Sequence, residues 1–70
     1  MTYTPDGREL SVEHEDGRWT ATCDGNHSEG TTALEAIAEA VGHDDASIGT
    51  LEPIIAAWVV SHAAQLESEA

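Results

Sequence analysis

One cysteine and two histidines lie close enough in the sequence to suggest metal binding. Cys23 and His27 are separated by three residues, Asp24 lies between them, and His14 belongs to the same predicted hairpin. Thiolate, imidazole and carboxylate groups are ligands that zinc takes in proteins. A structural zinc site needs four good ligands, however, and Cys23 and His14 are expected near opposite ends of the paired strands. We therefore interpret Cys23 as a small buried side chain and His27 as a turn residue, and we expect no metal or other cofactor.

The same residues give little indication of catalysis. A catalytic histidine needs a carboxylate to orient it and a nucleophile within reach. His14 is expected opposite Trp19, an ordinary pairing of an imidazole with an indole. Carboxylates such as Glu9 and Glu13 fall on the solvent side of a strand, where hydration explains them. We predict that the chain is not an enzyme.

The elements that position these residues begin with a β-hairpin, predicted over residues 8–23. Asp16-Gly17 is a strong two-residue turn, because both central positions need positive φ. Such a turn fixes the register, and polar and apolar residues then separate to opposite faces on both strands. The face predicted to be buried comprises Leu10, Val12, His14, Trp19, Ala21 and Cys23. The polar face comprises Glu9, Ser11, Glu13, Glu15, Arg18, Thr20 and Thr22. Glu15 is expected to pair with Arg18 across the strands.

A short strand and a first helix follow the hairpin. Residues 24–26 are expected to turn, and residues 27–30 to add an edge strand. A helix is predicted over residues 32–42, because Thr32 and Glu35 have the spacing of a capping box and Gly42 is a good terminator. Its apolar stripe comprises Leu34, Ile37, Ala38 and Val41.

A second helix is predicted over residues 50–66, after a polar linker at residues 43–49. Pro53 is tolerated in its first turn. One apolar face comprises Leu51, Ile55, Trp58, Val59 and His62, and a second comprises Ile54, Ala57, Val60 and Ala64. A helix that is apolar on most sides has to be buried on most sides, unless a few apolar residues simply remain exposed. We predict that the second face meets another copy of the chain. The predicted dimer interface comprises Ile54, Trp58, Val60 and Ala64.

Together these elements predict one α+β domain over residues 1–70. An antiparallel hairpin or three-stranded sheet is followed by two α-helices, both packed on one face of the sheet. The predicted core comprises Leu10, Val12, Trp19, Ala21, Leu34, Ile37, Val41, Leu51 and Ile55. A domain of this size buries only about 60% of the surface of its unfolded chain. Because Cys23 is the sole cysteine, oligomerisation is the expected source of further stability.

The charge balance narrows the choice of partners. Fourteen Asp and Glu residues oppose two Arg residues, giving a net charge of −12. Direct binding to nucleic acid or to an anionic membrane is therefore disfavoured, whereas a basic protein is attracted. This composition is typical of halophilic archaea, where salt screens self-repulsion, although an acidic mesophile protein is the alternative. The longest apolar run, residues 54–60, is too short to span a bilayer, and no signal peptide is recognisable. We expect a cytoplasmic protein.

Several short motifs lie within residues 10–42. They are an acidic-glycine turn, an aromatic residue and an alanine on the outgoing strand, a glycine before the helix, and Thr-x-x-Glu-Ala at its start: Asp16-Gly17, Trp19, Ala21, Gly30 and residues 32–36. This run resembles the small antitoxins of the HicB family. The resemblance implies a truncated ribonuclease-H-like β-β-β-α core without the nuclease's acidic site. It also implies neutralisation of a partner toxin, a small basic ribonuclease with a catalytic histidine.

Two features differ from the family pattern. Many members carry a C-terminal DNA-binding domain, which is not visible here, and the second helix occupies the place of an expected fourth strand. Two functional hypotheses therefore stand side by side. One is a HicB-like antitoxin that binds a small basic toxin. The other is a stand-alone homodimeric interaction or regulatory domain without catalytic activity.

Overall fold

The computed structural model describes residues 2–42, 49 and 51–69. Within these residues the elements are β1 (Thr2–Tyr3), β2 (Glu9–Glu15), β3 (Arg18–Cys23), β4 (Asn26–Gly30), α1 (Ala33–Gly42) and α2 (Pro53–Glu69). The four described strands form one antiparallel sheet in the order β1-β2-β3-β4. The α+β class is confirmed, with four strands where two or three were predicted. Most of the predicted linker at 43–49, and Thr50, lie outside the described residues.

Two tight turns of the same kind build the sheet. Asp16 and Gly17 have φ values of 52° and 76°, and Asp24 and Gly25 have values of 51° and 89°. Two consecutive positive φ values define the mirror-image turn whose twist suits a hairpin. The second turn needs only Asp24 and Gly25, so Asn26 already pairs with Cys23. The strand predicted at 27–30 therefore begins one residue earlier.

The first strand was not predicted, because two residues give no detectable alternation. Thr2 pairs with Leu10, and Tyr3 with Glu9. The loop that follows is organised by Thr4, which is buried. Its backbone N–H donates to the Arg8 carbonyl at 2.9 Å, and its hydroxyl oxygen accepts from the Arg8 N–H at 3.0 Å. A short strand is thus held in place by the polar groups of one buried threonine.

The sheet has one covered and one open face. In β2 and β3 the pairs Leu10–Cys23, Val12–Ala21 and His14–Trp19 lie on the covered face. Their burial decreases along β2: Leu10 is buried, Val12 is half-buried and His14 is exposed. The prediction that His14 is buried is wrong. The reason is that α1 packs against β3 and β4, which leaves the far end of β2 at the margin of the core.

Alanine residues determine how α1 packs on the sheet. The helix buries Ala33, Ala36, Ile37, Ala38, Ala40 and Val41, while Leu34 is only half-buried. The buried face is therefore rotated from the predicted stripe towards the alanines. Their short side chains let the helix backbone approach the sheet closely. A Cβ added to Gly30 would lie 2.9 Å from the backbone nitrogen of Ala36.

Side chains satisfy the backbone at both ends of α1. At its start Thr32 is the N-cap, with Oγ1 accepting from the Glu35 N–H at 3.0 Å, as the capping motif predicts. Glu67 Oε2 accepts from the Ala33 N–H at 2.8 Å. At its end Arg8 Nη1 donates to the Val41 carbonyl at 3.1 Å. The signs of these charges match the helix dipole, positive at its start and negative at its end.

The second helix packs on the first. It buries Ile55, Val59 and Ala63, and Leu51, Trp58 and Leu66 are partly buried against the same core. It spans Pro53–Glu69, not the predicted 50–66. Proline is favoured at the first helical position because its missing N–H would have no helical partner there. The final turn continues through Glu67, whose carboxylate binds α1.

Candidate functional site

The open face of the sheet is a polar surface to which all four described strands contribute. Alternation places one side chain of every two on this face. Its residues are Tyr3, Glu9, Ser11, Glu13, Glu15, Arg18, Thr20, Thr22, His27 and Glu29. Most of them are exposed, and the two threonines of β3 are half-buried between their neighbours. No described helix packs here, so a partner has direct access to all four described strands.

The cationic groups of this face are grouped around Glu29. Arg18 Nη1 lies 3.1 Å from Glu29 Oε1, and His27 Nε2 lies 3.8 Å from Glu29 Oε2. The predicted partner of Arg18 was Glu15, which does pair with it in the backbone register. The side chain instead reaches diagonally to β4, a distance that a long side chain spans easily. The pair is well exposed and contributes little to stability.

The carboxylates of β2 are left as an acidic row. Glu9, Glu13 and Glu15 share one side of the strand, and neighbouring side chains on one side lie about 7 Å apart. Among the described residues, no ion pair involves any of these three. The arginines are engaged elsewhere, Arg8 with Asp6 at 2.9 Å and Arg18 with Glu29. The row is therefore available to a cation that the described residues do not supply.

Asp6 differs from this row in having its own partners. The hydrogen bond from the Thr4 hydroxyl, and then the charge of Arg8 beside it, hold the pKa of Asp6 below its ordinary value. Asp6 orients Arg8, which in turn binds the end of α1. Its role is structural, and it does not belong to the acidic row.

The structure separates the residues that suggested a metal site. Cys23 is fully buried on the covered face, whereas His27 is exposed on the open face, with its Nδ1 3.3 Å from Thr22 Oγ1. The sheet therefore lies between thiol and imidazole. Burial raises the pKa of the Cys23 thiol. Within residues 2–42, 49 and 51–69, no cluster of three or more candidate ligands occurs.

His14 and Trp19 form a stacked pair at the end of the hairpin. Their ring centroids are 4.1 Å apart, and the planes differ by 8°. The imidazole is exposed, but only 7% of Trp19 is accessible. His14 thus shields the indole at the edge of the core. Such a contact explains a histidine here without chemistry.

The outer side of α2 is apolar and faces solvent. Ile54 is 73% exposed and Val60 is 47% exposed, and Ala57 and Ala64 are also exposed. Trp58 is different, because it is partly buried against the chain's own core. Its place in the dimer interface stays a prediction.

Trp58 stacks on His62, the residue one turn later, with centroids 4.8 Å apart and planes 12° apart. Burial lowers the pKa of His62, and the negative charge of Glu69 opposes that shift. His62 and Leu66 form one wall of an open groove of about 350 Å³, and Leu10 and Val12 lie on the other side. The sequence does not predict this groove, because its width depends on where α2 packs beside β2.

Comparisons with protein-family models, curated proteins and solved structures give no match for this chain. The resemblance to HicB antitoxins therefore rests on the short motifs of residues 10–42. Among the described residues, no helix has the length and apolar character needed to cross a membrane.

Proposed function

We propose that this chain is a protein-binding module that acts by covering a basic partner, as the resemblance to HicB antitoxins implies. The observation that carries the proposal is the acidic row of Glu9, Glu13 and Glu15 on an open sheet face. A rigid strand holds three like charges at fixed spacing with no described counter-charge. Binding a cationic surface relieves that repulsion. The partner that the resemblance implies is a small basic ribonuclease toxin, which binding would neutralise.

Charge complementarity of this kind acts mainly on encounter and specificity. Exposed carboxylates attract a basic partner over distances of about 10 Å at 0.1 M salt, and about 3 Å at 1 M. If the chain works at molar salt, as its composition suggests, steering is weak. Apolar and backbone contacts then have to hold the complex. The partner surface should therefore combine Lys or Arg with apolar side chains.

The test is binding to a defined partner. We expect a gene beside this one to encode a short protein rich in Lys or Arg with a histidine. The tagged chain should form a stoichiometric complex with that protein and suppress its ribonuclease activity. Replacing Glu9, Glu13 and Glu15 with Lys should abolish both effects. A control with Lys at Glu39, Glu52 and Glu69 makes the same change in net charge away from this face and should retain them. Equal behaviour of the two variants would exclude the acidic row as the binding surface.

A specific observation also favours self-association. Residues 53–66 contain no carboxylate, in a chain with fourteen. On the outer side of α2 this stretch exposes Ile54 and Val60. Two copies that each carry a charge of −12 approach best where neither presents charge. We propose a homodimer through Ile54, Val60 and Ala64, with Trp58 at its margin.

Light scattering in molar salt tests the dimer. Val60→Glu places a charge at the centre of the proposed interface and should give a folded monomer. Ser11→Glu adds the same charge on the open sheet face and should leave the dimer intact. A wild-type monomer at all accessible concentrations, or a Val60→Glu dimer, would reject this interface.

A further inference from the structure

Most of β2 has no described strand on its outer side. It spans Glu9–Glu15, but the described residues of β1 pair only with Glu9 and Leu10. Beyond that point, β3 is the only strand among the described residues that pairs with β2. An edge strand presents backbone N–H and C=O groups that another strand can pair with.

The hydrogen-bonding pattern between β2 and β3 identifies which backbone groups of β2 point away from β3. The Asp24 N–H donates to the Glu9 carbonyl at 2.9 Å, so the backbone of Glu9 points towards the β3 side. Backbone direction alternates along an antiparallel strand. The backbone groups of Val12 and His14 therefore point away from β3, towards the open edge.

The open groove borders this edge on the helical side of the sheet. It is lined by Thr2, Leu10, Ser11, Val12, Glu13, His62 and Leu66, and its volume is about 350 Å³. Val12 and Leu66, which are half-buried, supply apolar surface, Leu10 is buried beside them, and His62 is partly buried. On the other side of the sheet, Glu13 and Glu15 stand in the acidic row. One edge thus has an apolar recess on one side and negative charge on the other.

We propose that the basic partner adds an extended segment to the β2 edge as a further strand. Its backbone bonds to Val12 and His14. Its side chains alternate, with apolar ones entering the groove and Lys or Arg lying beside Glu13 and Glu15 on the open face. This inference rests on the proposed function and assigns it a site. It specifies the partner segment as alternating apolar and basic residues.

The opposite edge of the sheet serves as an internal comparison. By the same alternation, His27 and Glu29 of β4 present their backbone outward. The surface beside that edge is lined by Asp16, Gly17, Arg18, Glu29, Gly30, Thr31 and Glu35. It offers charged and polar groups instead of an apolar recess, and α1 packs closely behind it. The apolar side chains of an alternating segment therefore find apolar contacts beside β2 and find none in the surface beside β4.

The experiment uses the full chain prepared by chemical synthesis, with single backbone N-methyl groups. N-methylation of Val12 or of His14 removes an outward donor without changing the side chain. N-methylation of His27 makes the same change at the β4 edge. The probe is a short peptide in which valine and lysine alternate, and the matched probe has glutamate in place of lysine. Binding is followed by amide and methyl chemical shifts at low and at molar salt.

The valine–lysine peptide should shift the amides of Val12 and His14 and the methyl groups of Leu10, Val12 and Leu66. Loss of one backbone hydrogen bond should weaken binding about tenfold in the N-methyl-Val12 and N-methyl-His14 chains. The N-methyl-His27 chain should bind as the unmodified chain does. The valine–glutamate peptide should bind more weakly.

The outcomes separate this inference from the proposed function. If the peptide shifts only residues of the open face, and N-methylation has no effect, the acidic row binds cations but strand addition is wrong. If N-methyl-His27 weakens binding as N-methyl-Val12 does, the edge is misassigned. If the valine–lysine peptide does not bind at all while the basic partner does, strand addition is wrong. The proposal that the chain is a protein-binding module is then retained. If neither binds, both proposals fail.

Discussion

The Glu67 side chain accepts a 2.8 Å hydrogen bond from the backbone N–H of Ala33. The last part of α2 thereby supplies a negative group to the start of α1, where free N–H groups and the helix dipole favour it. A contact between residues so far apart in sequence joins the two helices at a defined point. The same contact satisfies a backbone donor that would otherwise depend on solvent.

Removing this carboxylate should weaken the fold. Glu67→Ala should lower the free energy of unfolding by about 1 kcal/mol relative to Glu69→Ala. Both variants remove one negative charge and place the same residue in the last turns of α2, so relief of general repulsion cancels. Urea unfolding followed by tryptophan fluorescence measures the difference. Equal stabilities would show that the contact contributes nothing in solution.

The buried Ser28 hydroxyl should slightly lower the free energy of unfolding. Only 7% of Ser28 is accessible, and its Oγ has no hydrogen-bond partner among the described residues. A buried polar group without a partner costs about 1–3 kcal/mol. Ser28→Ala should therefore raise the free energy of unfolding, by about 1 kcal/mol, whereas Ser11→Ala on the open face should change it by less than about 0.5 kcal/mol. A destabilised Ser28→Ala chain would mean that a water or a side chain satisfies this hydroxyl.

Local patterns were enough to predict the central hairpin and the first helix. Asp16-Gly17 specifies one kind of turn, and Thr32 with Gly42 marks two ends of a helix. The way in which the helices pack against the rest of the fold could not be predicted from local patterns. Arg8 and Glu67 reach α1 from distant parts of the chain, and neither has a local signature. Trp58 lies on the boundary between two apolar faces, so only the packing of α2 on α1 decides which way it points.

On the open sheet face, too, local alternation could be predicted, whereas contacts between separate segments could not. Alternation in β2 and β3 predicts which carboxylates share a face, and the structure places Glu9, Glu13 and Glu15 there. The cross-strand pairing of Glu15 with Arg18 is confirmed. The side-chain contact of Arg18 with Glu29 was not predicted, because Glu29 is on a strand whose pairing to β3 had no strong signal. The groove beside Val12 was not predicted, because no single segment forms it.

Gly30 should be intolerant of any side chain. An added Cβ would lie 2.9 Å from both the Ala36 nitrogen and the Glu35 Cβ, so the helix would have to move. Gly30→Ala should destabilise the fold by about 2 kcal/mol. Gly42→Ala is the control, because among the described residues its new Cβ would meet a flexible Leu51 methyl group at 3.4 Å and nothing closer. Alanine within a helix is favoured over glycine, so that variant should be neutral or stabilised. Equal losses for the two variants would contradict the close approach of α1 to β4.

Cys23 should be unreactive until the protein opens. Its side chain is fully buried, and burial raises its pKa above the ordinary 9.0. A thiol reagent at pH 8 should label the native chain only slowly, with a rate that rises in urea. A Ser11→Cys substitution in a Cys23→Ala background should be labelled at once. Rapid labelling of native Cys23 would show that the sheet is open at β3.

The raised pKa also has a consequence for stability at high pH. The unfolded chain loses the thiol proton from about pH 9.0, whereas the folded chain retains it to higher pH. The contribution to stability is therefore complete below that pH and is lost as pH rises above it. Cys23→Ala should flatten this part of the pH dependence, which unfolding curves between neutral and alkaline pH would measure. An unchanged slope would assign the alkaline loss to other groups.

The order of the strands also bears on the kinetics of folding. Each described strand pairs with its neighbour in sequence, and such local pairing forms quickly. The bonds from Arg8 to Val41 and from Glu67 to Ala33 join residues 33 and 34 positions apart, and they need sheet and helices already in place. We expect them to form after the rate-limiting barrier, so that Glu67→Ala accelerates unfolding in stopped-flow experiments and leaves refolding nearly unchanged. The two ends of one short helix would then set the lifetime of the native molecule.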